Sequence, residues 1–72
     1  MAKKILICDD SALMRRLISD IINSDKRFEV KDLACNGLEG LDLIVKNHAD
    51  YDCVILDINM PKMNGLELLE QL

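Results

Sequence analysis

Three carboxylates stand at the ends of two apolar runs: Asp9 and Asp10 follow Ile5-Leu6-Ile7-Cys8, and Asp57 follows Cys53-Val54-Ile55-Leu56. If the two runs are adjacent parallel strands, their C-terminal ends bring the carboxylates to one spot. Like charges repel there, and a hard divalent cation that prefers oxygen ligands would be stabilising. The chain is therefore read as built around Mg²⁺ and an aspartate. Taken singly, the residues allow plainer readings. Asp9, Asp10 and Ser11 could end a strand and cap a helix, and Asp57 could be a solvated strand end. Acids after both runs favour the shared site.

The elements that would position these residues alternate in period. Lys4 to Cys8 is a short continuous apolar run, the pattern of a strand covered on both faces. From Ala12 to Asn23, Leu13, Met14, Leu17, Ile18, Ile21 and Ile22 recur on one helical stripe, and Ser24-Asp25-Lys26-Arg27 ends it as a polar turn. Phe28 to Ala34 reads as a second strand whose interleaved charges suit a sheet edge. Asn36-Gly37 breaks the chain. Asn36 is placed to cap a second helix, with Glu39 reaching back to the cap and Leu38, Leu41, Ile44 and Val45 as its apolar face. His48 falls in the last turn of that helix, as a solvated residue well placed near a helix C-terminus. Cys53 to Leu56 is the third strand and Ile58 to Asn64 a loop. Asn64-Gly65-Leu66-Glu67 repeats the capping pattern before Leu66, Leu68, Leu69 and Leu72, and Asn64-Gly65 reads as turn and cap rather than as ligand.

The order β-α-β-α-β-α implies an α/β fold, a parallel sheet with right-handed crossovers and helices on both faces. In one common doubly wound order the strands lie 2-1-3, and ligands bind beyond the strand C-termini at the switch point between strands 1 and 3. Asp9, Asp10 and Asp57 belong to that crevice.

Composition narrows the classes. The 72 residues fit one small domain or part of a larger one, half of them apolar, and the only aromatics are Phe28 and Tyr51, so the core must be aliphatic. The net charge of −4 and the scattered doublets Lys3-Lys4, Arg15-Arg16 and Lys26-Arg27 give no support to nucleic-acid binding. Three cysteines, Cys8, Cys35 and Cys53, are odd in number and have no ligand spacing, which fits a reduced cytosolic setting. Cys8 and Cys53 read as small core residues on neighbouring strands. The start of the chain has too few apolar residues for a signal segment or a membrane span. A cytoplasmic location, with no membrane partner, is expected.

The motifs Asp9-Asp10-Ser11-Ala12-Leu13-Met14-Arg15, Leu56-Asp57-Ile58-Asn59-Met60-Pro61 and Met63-Asn64-Gly65-Leu66-Glu67 resemble the receiver domain of response regulators. Among these they are most similar to the N-terminal receiver of chemotaxis protein-glutamate methylesterases. The acidic pair, the strand-3 aspartate, Met60-Pro61 and Gly65 at these intervals make the resemblance specific. It implies a flavodoxin-like, CheY-like three-layer fold of which residues 1–72 supply the first three βα units of a single domain. It also implies that Asp57 is the phosphoacceptor, Asp10 a direct Mg²⁺ ligand, Asp9 a ligand through water and the Asn59 main-chain carbonyl a further ligand. A chemotaxis-type histidine kinase is the implied phosphoryl donor.

Receivers normally run to five strands, with a Ser or Thr after strand 4 and a Lys after strand 5 that read the phosphoryl group, and neither position lies within these residues. The methylesterase catalytic domain and any nucleophile elbow are also absent, so the chain is expected not to be an enzyme. Two alternatives stand beside the receiver. One is an aspartate-nucleophile phosphohydrolase of the haloacid-dehalogenase type, disfavoured because Asn59 stands where those enzymes place a general-acid Asp. The other is an engineered or proteolytic half-domain that self-assembles. An exposed strand-3 edge predicts a homo-oligomer, through edge pairing or helix exchange.

Overall fold

A computed structural model of the chain describes residues 2–57 and 65–72. The elements run β1 (Lys3–Cys8), α1 (Ala12–Asn23), β2 (Phe28–Ala34), α2 (Gly37–Asn47), a 3₁₀ turn (His48–Asp50), β3 (Cys53–Leu56) and α3 (Gly65–Gln71). The strands form one parallel sheet in the order β2-β1-β3, the arrangement expected from the alternating periods. The predicted loop Ile58–Asn64, with its cap residue Asn64, lies outside the described residues.

β1 is the centre of the sheet because its sequence suits burial on both sides. Ile5, Leu6, Ile7 and Cys8 are all 5% exposed or less. Strand alternation sends them to opposite faces. Leu6 and Cys8 join Ala34 of β2 in a core cluster lined by Leu41, Leu43 and Ile44 of α2, by Tyr51, and by Val54 and Leu56 of β3. Ile5 and Ile7 occupy the other face, where α1 crosses β1 and β2.

β2 carries charge at Glu29, Lys31 and Asp32, and its register against β1 slips between Ile5 and Leu6, so that Ile5 pairs with Val30 and Leu6 with Asp32. At the slip the Val30 N–H donates to Asn23 Oδ1 at 3.1 Å, so the last residue of α1 covers part of an edge that would otherwise offer a pairing donor. Asp25, in the turn between α1 and β2, accepts from the Arg27 side chain and main chain, and these hydrogen bonds hold its carboxyl down at about 2.

Local capping fixes the helix starts. Ser11 is the N-cap of α1, its Oγ accepting from Met14 N–H at 3.2 Å. Asn36 caps α2 by accepting from Glu39 N–H at 2.9 Å. Glu39 does reach back, but one residue further than the capping box requires: it accepts from the Cys35 N–H and from the Cys35 thiol, at 3.4 and 3.1 Å.

Four sequence expectations are corrected. The α1 stripe divides: Ile18 and Ile22 turn partly inward, whereas Leu13, Leu17 and Ile21 are 67%, 48% and 70% exposed. α2 presents its glycines to the sheet. Gly37 and Gly40 are buried with Leu41 and Ile44 beside them, and Leu38 and Val45 are exposed, because an i, i+3, i+4, i+7 face centred on glycine allows closer approach. His48 falls just past α2, in the 3₁₀ turn. Cys53 is exposed rather than a core residue, since it opens β3 at the sheet edge opposite Ile5. α3 packs against α2, and Leu66, Leu69 and Leu72 on it are exposed. Among the described residues, no helix is long and apolar enough to cross a membrane.

Candidate functional site

The parallel ladder itself delivers the acidic residues. Beyond the last β1–β2 pair, Asp9 N–H donates to the Ala34 carbonyl at 3.0 Å; beyond the last β1–β3 pair, Asp57 N–H donates to the Cys8 carbonyl at 2.9 Å. Both acids therefore leave the C-terminal edge of the sheet side by side. Asp10 follows in the turn into α1. The carboxylates of Asp9, Asp10 and Asp57 offer ligand oxygens that all lie within 4.8 Å of one another.

Their exposure is graded. Asp9 is only 9% exposed, Asp57 is half-buried and Asp10 is open to solvent. At such separations each like-charge pair costs about 1 kcal/mol in water, and about 3 kcal/mol at the effective dielectric of ~20 that suits partly buried groups. A cation bound among the three carboxylates would relieve this repulsion. All three donors are hard oxygens. The neighbouring thiol of Cys8 is a poor competitor, since burial and then the Glu39 carboxylate push its pKa up to about 11 and keep it neutral. The donor set fits Mg²⁺ or a similarly hard cation. Asn59, whose carbonyl the resemblance adds, lies outside the described residues.

The turn between β1 and α1 is held from several sides. Asp9 Oδ1 accepts from the Ser11 N–H at 2.9 Å, and the Asp9 carbonyl accepts from Arg15 Nη1 at 2.6 Å. Arg15 entered the sequence reading as half of a basic doublet and as the end of the first motif, with no role assigned to it. Its signal was positional: four residues after the N-cap, a side chain leans back toward the helix N-terminus and so toward Asp9. Gly40 is the second residue whose part was hidden. A Cβ built there would lie 2.5 Å from Cys8 Sγ, so α2 seats against the strand residue that precedes Asp9 only because position 40 has no side chain.

Comparison with known proteins agrees with this geometry. The family model described as the response regulator receiver domain matches residues 5–72. The protein-glutamate methylesterase/protein-glutamine glutaminase of Pyrococcus horikoshii is 47% identical over 66 residues, 92% of this chain and 17% of that protein. The crystal structure of the response regulator domain of Thermotoga maritima CheB superposes with a TM-score of 0.89 at 36% identity, over 97% of this chain and 51% of that one. A chain of the CheX–CheY–BeF₃–Mg²⁺ complex from Borrelia burgdorferi gives 0.87 at 34% identity, over 93% of this chain and 49% of that one. The chain thus spans about half of these solved receivers and under a fifth of the methylesterase. With strand order 2-1-3, the acids at the switch point and a family match along nearly its whole length, the chain belongs to the response regulator receiver domain family.

Proposed function

We propose that this chain carries the phosphoacceptor site of a chemotaxis-type two-component response regulator, with Asp57 as the acceptor and a histidine kinase as the donor. The observation that carries the reading is the gathering of Asp9, Asp10 and Asp57 within 4.8 Å at the ends of β1 and β3. In this reading an Asp57 carboxylate oxygen attacks the phosphorus of a phosphohistidine. A P–O bond forms as the P–N bond breaks, and the electron pair leaves on the imidazole, which takes up a proton. The half-buried position of Asp57 leaves it reachable while the Cys8 carbonyl holds its main chain still.

Asp10 and Asp57, with the Asn59 carbonyl that the resemblance adds, would hold Mg²⁺ directly, and Asp9 would act through water. Bound there, Mg²⁺ would neutralise phosphoryl charge. Support comes from the all-oxygen donor set and from the relative whose structure contains BeF₃ and Mg²⁺. The domain occupies residues 1–72 as the first three βα units, works in the cytoplasm and has no turnover chemistry of its own.

Acetyl phosphate with Mg²⁺ should add one phosphoryl group to the chain, located at Asp57 by peptide mass spectrometry and absent from Asp57→Asn. Modification at another residue, or equal modification of that variant, rejects the reading.

A second copy of the chain is the proposed partner for the surfaces left open. β3 pairs on one side only among the described strands, and Leu13, Leu17 and Ile21 form an exposed aliphatic stripe on α1. Association through the β3 edge or by helix exchange would cover them.

A further inference from the structure

We infer that Arg15 is a positioning residue for the Mg²⁺ site, acting through the peptide group that joins Asp9 to Asp10. The inference rests on the Mg²⁺ reading above and goes beyond it by assigning a residue that is not itself a ligand.

Three of the four polar atoms of Asp9 are engaged outside the carboxylate cluster: its N–H by the Ala34 carbonyl, its carbonyl by Arg15 Nη1 and its Oδ1 by the Ser11 N–H, at 3.0, 2.6 and 2.9 Å. The Asp9 carbonyl belongs to the same rigid plane as the Asp10 nitrogen, because the peptide bond does not rotate. A donor held on that oxygen therefore sets the orientation of the plane, and with it the direction in which Asp10 leaves the chain. Asp10 needs this help most. It is the exposed member of the trio and sits in a turn, whereas Asp9 and Asp57 are each tied by a main-chain bond to a neighbouring strand.

Arg15 is well built for the task. It stands on the first turn of α1, is partly buried, and its own N–H donates to the Ser11 carbonyl at 3.0 Å, so helix and turn move as one piece. A charge-assisted hydrogen bond to a carbonyl is about twice as strong as a neutral one.

The opposite sign of two effects makes the role testable. If Arg15 merely contributed a positive charge near the site, removing it would lessen repulsion of the incoming cation and Mg²⁺ would bind more tightly. If Arg15 positions Asp10, removing it weakens binding, by about tenfold or more on the scale of residues that orient metal ligands.

Calorimetric titration with MgCl₂ of the native chain, Arg15→Met and Arg15→Lys separates the cases. Weaker binding by the methionine variant, with the lysine variant close to native, supports the clamp, and unchanged or tighter binding by the methionine variant overturns it. Amide hydrogen exchange without metal gives a second readout. Arg15→Met should speed exchange at Ser11 and leave the β1 amides protected. Loss of protection along β1 as well would make Arg15 a general stabiliser and overturn the positioning role. A native chain that binds no Mg²⁺ rejects the proposed metal site, and Ser11 exchange then still decides whether the clamp exists.

Discussion

The Asp57 main chain is bonded to Cys8, one residue before Asp9: its N–H donates to the Cys8 carbonyl at 2.9 Å. The distance between the proposed acceptor and the first acid of the pair is thus a property of the β1–β3 ladder rather than of a loop. A site built this way is formed as soon as the sheet is, so metal-free protein should already carry the repulsion among its carboxylates.

That repulsion predicts a sign reversal for Asp10→Asn. Without metal the variant should be more stable than the native chain by about 1 kcal/mol, since it removes one charge from a cluster within 4.8 Å in a solvent-exposed setting. With excess Mg²⁺ the order should invert, because only the native chain gains the linkage term, about 2.7 kcal/mol at a hundredfold excess over Kd. Thermal unfolding with and without MgCl₂ reads both halves. Equal response of the two proteins to Mg²⁺ would remove Asp10 from the metal site.

Position 40 should resist even a methyl group. Alanine in a helix gains about 1 kcal/mol over glycine, yet at Gly40 the new Cβ meets Cys8 Sγ at 2.5 Å beneath a fully buried strand residue. Overpacking of this kind costs about 1–3 kcal/mol, so Gly40→Ala should be net destabilising. Cys8→Ala removes the obstructing sulfur. The double variant should therefore be more stable than the sum of the single effects by about 1 kcal/mol, measured by urea unfolding of all four proteins. Additive effects would mean that α2 does not seat on Cys8.

Much of this architecture was legible from residue order, and the exceptions share a cause. Continuous apolar runs placed β1 and β3, interleaved charge placed β2 at an edge, and the acids after β1 and β3 pointed to the switch point. Periodicity reports which residues avoid water, but not which of two apolar neighbours meets the sheet. Leu38 and Val45 were thus assigned to the α2 face that Gly37 and Gly40 occupy, and Leu13, Leu17 and Ile21 were grouped with Ile18 and Ile22. Contacts between distant residues leave no local trace at all. The hydrogen bond from Tyr51 to Asp32 is of this kind, since it depends on strand order, whereas the Arg15 clamp reaches back only six residues and its one signal was the position of Arg15 after the N-cap.

That Tyr51–Asp32 contact predicts an alkaline limb. Burial, followed by the hydrogen bond to Asp32 and its charge, pushes the Tyr51 hydroxyl up to about 12 from an ordinary 10. The folded state holds the proton more tightly than the unfolded chain, so this contribution is complete below pH 10 and is lost as pH rises toward 12. Cys8, raised to about 11 from 9, adds a second loss beginning about one pH unit lower. Tyr51→Phe should cost about 1–2 kcal/mol at pH 7, because Asp32 loses a partly buried donor, and should flatten the fall between pH 10 and 12. Denaturant unfolding at a series of pH values checks this. An unchanged alkaline limb in the variant would assign the limb to other groups.

The exposed α1 stripe gives the last prediction. Leu17 and Ile21 are 48% and 70% exposed one helical turn apart, and Leu13, at 67%, extends the same line by another turn. Burying such side chains stabilises association by about 25 cal/mol per Å² of apolar surface removed from water, before the cost of lost freedom is subtracted. A second copy offers the same line, so a two-fold contact can satisfy both chains at once. Light scattering across a concentration series should show a dimer or larger species for the native chain. Leu17→Glu with Ile21→Glu should shift it to monomer, while circular dichroism stays native because neither side chain reaches the core. If the double variant associates as the native chain does, the α1 stripe is not the contact. Val54→Lys, which charges the strand at the open edge of the sheet, then tests the alternative route through β3, where loss of association would have to occur without loss of the fold.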